Sequence, residues 1–193
     1  MFFITKTIHM SWRQLLLTAG TAQTVSRAQS ALGKKTIYKL GKGGFDPSRA
    51  MTTQCDCSGF IAWAIGIPRE LPPGSGKWLS TDQYWAGGKG VKTGLFQQVL
   101  LKDALPGDLL VYPDANGKQG HIGLVTKVDN GMPVEVIHCS SGNYRNWGDA
   151  IRATGTTLFL GNNHPTRVMR INYELLRTYA FVVPPAKHAN RPA

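Results

Sequence analysis

An uninterrupted apolar run that follows directly on polar residues is the clearest pattern in the chain. Residues 60–65 are all apolar, and Asp56, Cys57 and Ser58 precede them with only Gly59 between. A helix that is apolar on every side is a buried helix, and Asp is a favoured N-cap residue. The pattern therefore predicts a buried helix with Cys57 in its first turn.

A second pattern, in the later half of the chain, predicts three strands at residues 108–112, 121–128 and 133–139. Asn-Gly pairs stand between them, and this dipeptide favours tight hairpin turns, so a β-meander is expected. If Asn130 and Gly131 form the second turn, His138 faces Gly123. His121 and His138 are then diagonal neighbours on one face of the sheet.

Weaker patterns predict the remaining elements. Residues 24–32 form a helical stripe of small apolar side chains with Thr24 as N-cap and Gly33 as the stop. Ser80 or Thr81 caps a short helical turn, and the exposed aromatics Trp78 and Trp85 are either a substrate wall or ordinary surface packing. Further strands are expected at residues 156–160, 167–171 and 179–183.

The 193 residues are interpreted as one α+β domain with short ends. The expected divisions are an N-terminal segment at residues 1–20, the domain at 21–183 and a flexible basic tail at 184–193. The apolar part of the first segment is too short for a convincing signal peptide. No apolar run reaches the ~18 residues of a membrane-spanning helix.

The charge is strongly positive, with 22 Lys and Arg against 11 Asp and Glu, a net charge of +11. Such a chain associates with polyanions, including an anionic cell-wall polymer or lipid. The basic residues are spread along the chain without a dense or aromatic-interleaved patch, which argues against specific nucleic-acid binding. Cys55, Cys57 and Cys139 do not form a disulfide framework, so all three thiols are expected to be free.

Cys57 and the two histidines form a candidate catalytic group. A helix N-terminus lowers a thiol pKa from about 8.5 toward roughly 3.5–7.5, His121 would be the base and His138 would orient it. Zinc is the alternative, with Cys55 or Cys139 as a fourth ligand. Ligand pairs usually have short fixed spacings, and Cys139 alternates to the face opposite His138, so zinc is disfavoured.

These residues resemble those of the NlpC family of papain-like bacterial cell-wall cysteine peptidases. The resemblance covers about residues 24–140. The residues that carry it are, in chain order, Tyr38, Gly43, Gly44, Asp56, Cys57, Ser58, Gly59, Phe60, Pro106, Gly107, Asp108, Leu109, Gly120, His121, Ile122, Gly123, Ile137 and His138.

The resemblance implies a single papain-like domain that hydrolyses an amide bond in peptidoglycan stem peptides, typically after a D-isoglutamyl residue. It implies Cys57 as nucleophile, His121 as base and His138 as the third polar residue, with Tyr38 and Ser58 supporting the oxyanion or substrate. No metal or organic cofactor would be needed, and a monomer acting in the periplasm, outside the cell or after phage delivery is expected.

Other functions stay open at this point. An amidase of the CHAP type, or a phage or secreted antibacterial effector, would use the same residues. An acyltransferase or deamidase would keep the thiol chemistry on another acceptor. A module that only binds an anionic polymer would make the cysteine incidental, and its binding would fall steeply with salt.

Overall fold

The structure is a computed structural model that describes residues 12–43, 51, 53–71, 75–90, 93–161 and 164–180. Its helices are α1 (Trp12–Ser30), α2 (Cys57–Ile65), α3 (Thr81–Trp85), α4 (Ser141–Trp147), α5 (Thr157–Leu160) and α6 (Tyr173–Ala180). Its strands are β1 (Ile37–Tyr38), β2 (Gln54–Cys55), β3 (Phe96–Val99), β4 (Leu109–Tyr112), β5 (His121–Asp129), β6 (Met132–Cys139), β7 (Ile151–Thr154) and β8 (Arg167–Ile171). The predicted α+β class is confirmed.

The main layer is a six-stranded antiparallel sheet in the order β3-β8-β4-β5-β6-β7. A separate two-stranded parallel pair joins β1 to β2 just before α2. The predicted meander β4-β5-β6 therefore forms the centre of the sheet, and β8 returns beside β4.

The β5–β6 hairpin turns through Asn130 and Gly131, whose φ angles are 49° and 75°, as an Asn-Gly turn of this type requires. Asp129 pairs with Met132 as predicted. Farther along, β6 carries one extra residue at Val134 and β5 carries one at Thr126. The two irregularities cancel, so the register beyond them is the predicted one.

Apolar side chains cover both faces of the sheet. One face packs on α2, with α1 behind it; among its members are Phe60, Ile61, Val111, Ile122 and Ile137. The other face packs on α5, and its members include Leu110, Tyr112, Val125, Val136 and Phe159. The sheet therefore separates two apolar layers.

Three predicted elements differ in the structure. Thr24 lies inside α1 rather than capping a helix, and its hydroxyl accepts a hydrogen bond from the Tyr173 hydroxyl at 2.9 Å. The strand predicted at residues 156–160 is wrong, since Thr157–Leu160 is helical. Of the predicted strand at 179–183, residues 179 and 180 belong to α6 and the rest lies outside the described residues.

The expected divisions of the chain stay predictions, and α1 runs across the first of them. The division between residues 20 and 21 lies within α1, where a Cβ at Gly20 would collide with the ring of Tyr173. The predicted tail at 184–193 and the first part of the N-terminal segment lie outside the described residues. In the described part of the chain, no helix combines the length and apolarity needed to cross a membrane.

Candidate functional site

The start of α2 is fixed by its caps and by close backbone packing. Asp56 is the N-cap, as predicted, and its Oδ1 accepts the Gly59 N–H at 2.8 Å. All nine helix residues are buried. A Cβ at Gly59 would collide with the backbone of Lys42 and Gly43, so this loop supports the helix start directly.

The Cys57 thiol, at the first helical position, is 6% exposed. Burial, together with the negative charge of Asp56, raises the pKa of the Cys57 thiol to about 12. Hydrogen bonds from the Ser58 and Ile122 N–H groups and the charge of Arg69 favour the anion, but they do not outweigh burial. The shift is opposite to the one expected from the helix N-terminus alone, so the resting sulfur is a neutral thiol that needs a base.

The two histidines meet as predicted. His121 Nε2 lies 2.7 Å from His138 Nδ1, and the rings stand edge to face. His138 Nε2 lies 3.0 Å from Thr154 Oγ1, whose hydroxyl donates to the Gly155 carbonyl at 3.1 Å. Sequence reasoning missed Thr154, because it becomes a neighbour only through the β6–β7 pairing.

The direction of the Thr154 hydroxyl decides the tautomers. When this hydroxyl donates to the Gly155 carbonyl, it accepts from a protonated His138 Nε2. His138 Nδ1 is then an acceptor for His121 Nε2–H, and His121 Nδ1 keeps a free lone pair. Burial, with His138 beside it, lowers the pKa of His121 to about 3, and burial lowers the pKa of His138 to about 4. Both rings are therefore neutral near pH 7, and His121 is in the form that accepts a proton.

The Cys57 sulfur and the His121 imidazole lie on elements that meet through the backbone of β5. The His121 ring stacks on Phe159, on the face away from α2. Among the described residues no hydrogen bond joins Cys57 Sγ to the His121 ring, and the contact runs through the N–H of Ile122 instead. That N–H belongs to the peptide between His121 and Ile122, so the Cys57 sulfur contacts the backbone next to His121.

Tyr38 and Ser58 lie beside the nucleophile. Tyr38 is half-buried, and burial, followed by the charges of Cys57 and Asp56, raises its pKa, which keeps the hydroxyl a hydrogen-bond donor. The Ser58 hydroxyl donates to Asp56 Oδ1 at 3.1 Å and accepts from Arg69 Nη2 at 2.9 Å. The Ser58 hydroxyl therefore links Asp56 to Arg69 at the start of α2.

Arg69 is a buried residue of the site that no motif or periodicity singled out. Its Nη2 lies 2.7 Å from Asp56 Oδ2, and its Nη1 donates to the Lys42 carbonyl at 2.9 Å. Within the described part of the chain, its Nε is buried without a hydrogen-bond partner. The guanidinium also lies 5.0 Å from the centre of the Trp78 ring. Trp78 is 48% exposed, so it forms part of the protein surface next to Arg69.

An aromatic wall continues from the histidines. Tyr112, opposite His121 in the β4–β5 register, stacks on His164 at 4.1 Å, with the rings nearly parallel. Burial, followed by the charge that Cys57 carries as a thiolate, raises the pKa of Tyr112 to about 12, so this wall borders the nucleophile as well as the base. Of the two tryptophans expected near the site, Trp85 is half-buried under Arg167, at 3.9 Å from its ring centre.

In the described part of the chain, no group of three or more His, Cys, Asp or Glu side chains is arranged to hold a metal ion. Cys139 turns away from His138, and its sulfur lies 3.2 Å from the sulfur of Cys55. The donors considered for zinc are therefore divided between the two faces of the sheet.

No protein-family model and no curated protein matches the chain. A function for it therefore rests on the geometry of this site and on the resemblance of its motifs.

Proposed function

We propose that the chain is a papain-like cysteine hydrolase that cleaves an amide bond in peptidoglycan stem peptides through a Cys57 acyl-enzyme. The observation that supports the proposal is the hydrogen-bonded chain from Thr154 through His138 to His121, together with the hydrogen bond from the Ile122 N–H to Cys57. A nucleophile, a base and a group orienting that base are the parts this chemistry needs.

In the first half of the proposed reaction, His121 Nδ1 takes the thiol proton as Cys57 Sγ attacks the carbonyl carbon. The oxyanion receives hydrogen bonds from the Cys57 N–H and the Tyr38 hydroxyl. His121 then gives its proton to the leaving amine, and the C–N bond breaks. Because the resting thiol and imidazole are both neutral, proton transfer accompanies attack rather than preceding it.

In the second half, water attacks the thioester carbonyl. His121 accepts the proton of that water and returns it to the sulfur as the C–S bond breaks. His138 keeps the imidazole of His121 in one orientation throughout, and Thr154 does the same for His138. General base catalysis of this kind contributes about 10²–10⁴-fold.

The substrate class rests on the resemblance and is compatible with the charge. A net charge of +11 favours adsorption to an anionic wall polymer. The bond after a D-isoglutamyl residue is the one proposed. A CHAP-type amidase or a delivered antibacterial effector would use the same catalytic residues and differ in the bond or the target.

Digestion of purified peptidoglycan, followed by mass analysis of the soluble fragments, tests the proposal. Wild type should release split stem peptides, Cys57→Ala none, and His121→Gln at least about 100-fold less. Cys55→Ala is the matched control, because it removes a buried thiol two positions away and should retain activity. Whole stem peptides freed from the sugar would indicate the amidase instead. Equal turnover by wild type and both site variants would reject the catalytic assignment and leave polymer binding.

Alkylation with iodoacetamide tests the state of the sulfur. Cys57 should be labelled before Cys55 and Cys139, which are fully buried. Well below its pKa a thiol gains thiolate about tenfold per pH unit, so the labelling rate should climb steeply from pH 7 to 9. A rate already maximal at pH 6 would contradict a neutral resting thiol.

A further inference from the structure

Two of the three cysteines face each other behind the site. Cys55 ends β2 and Cys139 ends β6, 84 positions apart in the chain, yet their Sγ atoms lie 3.2 Å apart. The Cys139 thiol also donates to the Cys55 carbonyl at 3.4 Å. Both residues are fully buried. The fold therefore brings together two thiols that their sequence separation gave no reason to pair.

We propose that Cys55 and Cys139 form a disulfide when the chain folds in an oxidising environment, and that Cys57 takes no part in it. A disulfide has an S–S length of about 2.05 Å, so the two sulfurs need to approach by only about 1.2 Å. Paired backbone holds both residues, with Cys55 opposite Tyr38 and Cys139 opposite Ile151.

The oxidant is a small-molecule disulfide such as oxidised glutathione. The Cys139 thiolate attacks one of its sulfurs, forms a mixed disulfide and releases the first glutathione thiolate. The Cys55 thiolate then attacks the Cys139 sulfur and releases the second. The protein loses two S–H bonds and gains one S–S bond, and the oxidant is reduced to two thiols.

Burial dictates when the bond closes. The finished fold gives no solvent access to either sulfur, and burial, followed by the hydrogen bond with Cys55, raises the pKa of Cys139. The Cys139 thiolate is therefore scarce once packing is complete, and both sulfurs are then out of reach of the oxidant, so exchange belongs to folding. Disulfides of this kind persist in secreted and periplasmic proteins.

The bond would join two segments that carry the site. Cys55 immediately precedes the N-cap Asp56, and Cys139 immediately follows His138. Closing it would tie the β1–β2 pair, and with it the start of α2, to the end of β6. This consequence for the site rests on the proposed function, whereas formation of the bond does not.

The experiment uses the full chain carrying Cys57→Ala, which keeps both partners and removes the competing thiol. The protein is unfolded in guanidinium and refolded with a mixture of reduced and oxidised glutathione or, in parallel, with dithiothreitol. Intact mass and thiol titration in denaturant are then measured. We expect a loss of about 2 Da and of both titratable thiols in the oxidised sample.

The disulfide should also increase the thermal stability of the protein. A disulfide that closes a loop of this length should raise the melting midpoint by roughly 5 to 15 °C over the dithiothreitol sample. Cys139→Ala and Cys55→Ala in the otherwise native chain should show no 2 Da loss. If either fails to fold, the Cys57→Ala protein alone decides the result.

Two outcomes would overturn the proposal. One is a Cys57→Ala protein that folds in the glutathione mixture and keeps both thiols titratable. The other is a Cys139→Ala protein that still loses about 2 Da, which would place the bond between Cys55 and Cys57. Neither outcome depends on peptidoglycan cleavage, so failure here and failure of the proposed function are distinguishable.

Discussion

The two ends of the central sheet each bury an aspartate–arginine pair, and the pairs are built differently. At the far end, Asp108 accepts two hydrogen bonds from Arg170, from Nε at 2.9 Å and Nη2 at 2.8 Å, and a third from the Leu105 N–H. At the site end, Arg69 reaches Asp56 through Nη2 alone, and the other donors to that carboxylate are the Gly41 and Gly59 N–H groups and the Ser58 hydroxyl. Among the described residues, the Nε of Arg69 has no partner.

The difference indicates what each arginine does. A fork of two parallel hydrogen bonds is the strongest pairing an arginine makes with a carboxylate, and Arg170 uses it to join β8 to the start of β4. Arg69 instead distributes its donors over Asp56, Ser58 and the carbonyl of Lys42. It thereby holds three points around Cys57, a distribution that favours positioning of the site over the strength of one ion pair.

The largest expected effect is that of Arg69→Met. It leaves the Asp56 carboxylate buried without a counter-charge, and both side chains are less than a tenth exposed, so unfolding free energy should fall by about 3–5 kcal/mol. Arg170→Met is the matched variant. Arg170 is 25% exposed, and its loss should cost roughly 1–3 kcal/mol.

Two measurements distinguish the two arginine–aspartate pairs. Urea unfolding gives the stability of each variant, and kcat/KM on peptidoglycan fragments gives the activity of the folded variant. Arg69→Met should also reduce kcat/KM, because the charge of Arg69 favours the Cys57 anion. Arg170→Met should leave kcat/KM unchanged. Equal loss of kcat/KM in the two variants would remove the distinction between a positioning pair and a structural one.

The second largest expected effect is that of acid, which should destabilise the end of the sheet that carries His121 and His138. The folded-state pKa values of His121 and His138 are about 3 and about 4, below the unfolded value near 6.5. Their contribution is therefore complete above about pH 6.5 and is lost as the pH falls toward those values. Each group adds about 1.36 kcal/mol per pH unit, so unfolding free energy should drop by about 3 to 4 kcal/mol from pH 7 to 5.

Unfolding free energy measured against pH in wild type and in His121→Asn checks this expectation. The variant has one buried imidazole fewer, so its slope between pH 6.5 and 5 should be clearly shallower, whatever its stability at pH 7. An unchanged slope would mean that the buried pair is not the source of the pH dependence.

Thr154→Val should have a smaller effect. It removes the acceptor of the His138 Nε2–H, so the His121 tautomer is held less firmly and kcat should fall about tenfold, while Thr154→Ser should restore it. Thr156→Val is the control, because Thr156 is a nearby threonine whose hydroxyl donates to the Pro133 carbonyl. A fall in kcat for Thr156→Val as large as for Thr154→Val would point to a general loss of packing.

The smallest effect belongs to the exposed hairpin. Lys127 and Glu135 form an ion pair at 2.7 Å, but the lysine side chain is 67% exposed. Lys127→Met should change unfolding free energy by less than about 1 kcal/mol and leave kcat unaffected. A larger loss of stability in the same urea titration would show that the hairpin carries more of the fold than its exposure suggests.

Local chemistry made the nucleophile helix and the histidine hairpin predictable. Asp56 and an apolar run specify a capped, buried helix, and the Asn130-Gly131 turn fixes the alternation that puts His121 and His138 on one face. The two irregularities at Thr126 and Val134 were not predicted, and the prediction held because they cancel.

Features that depend on distant segments could not be predicted. Thr24 lies inside a helix, and its hydroxyl accepts a hydrogen bond from Tyr173, which is 149 positions away in the chain. The run at 157–160 is short, and periodicity does not separate a short apolar strand from a helix. Arg69, Thr154 and the Cys55–Cys139 pair become neighbours of the site only through tertiary contacts, and burial reversed the expected pKa shift of Cys57.

The β5–β6 hairpin keeps its strand register because each strand carries one extra residue. One insertion or deletion between the turn and the histidines would shift every later pair by a position and turn one imidazole to the wrong side of the sheet. Inserting or deleting one residue in each strand together would restore the register. Natural variation in the length of this hairpin is therefore expected to occur in compensated steps.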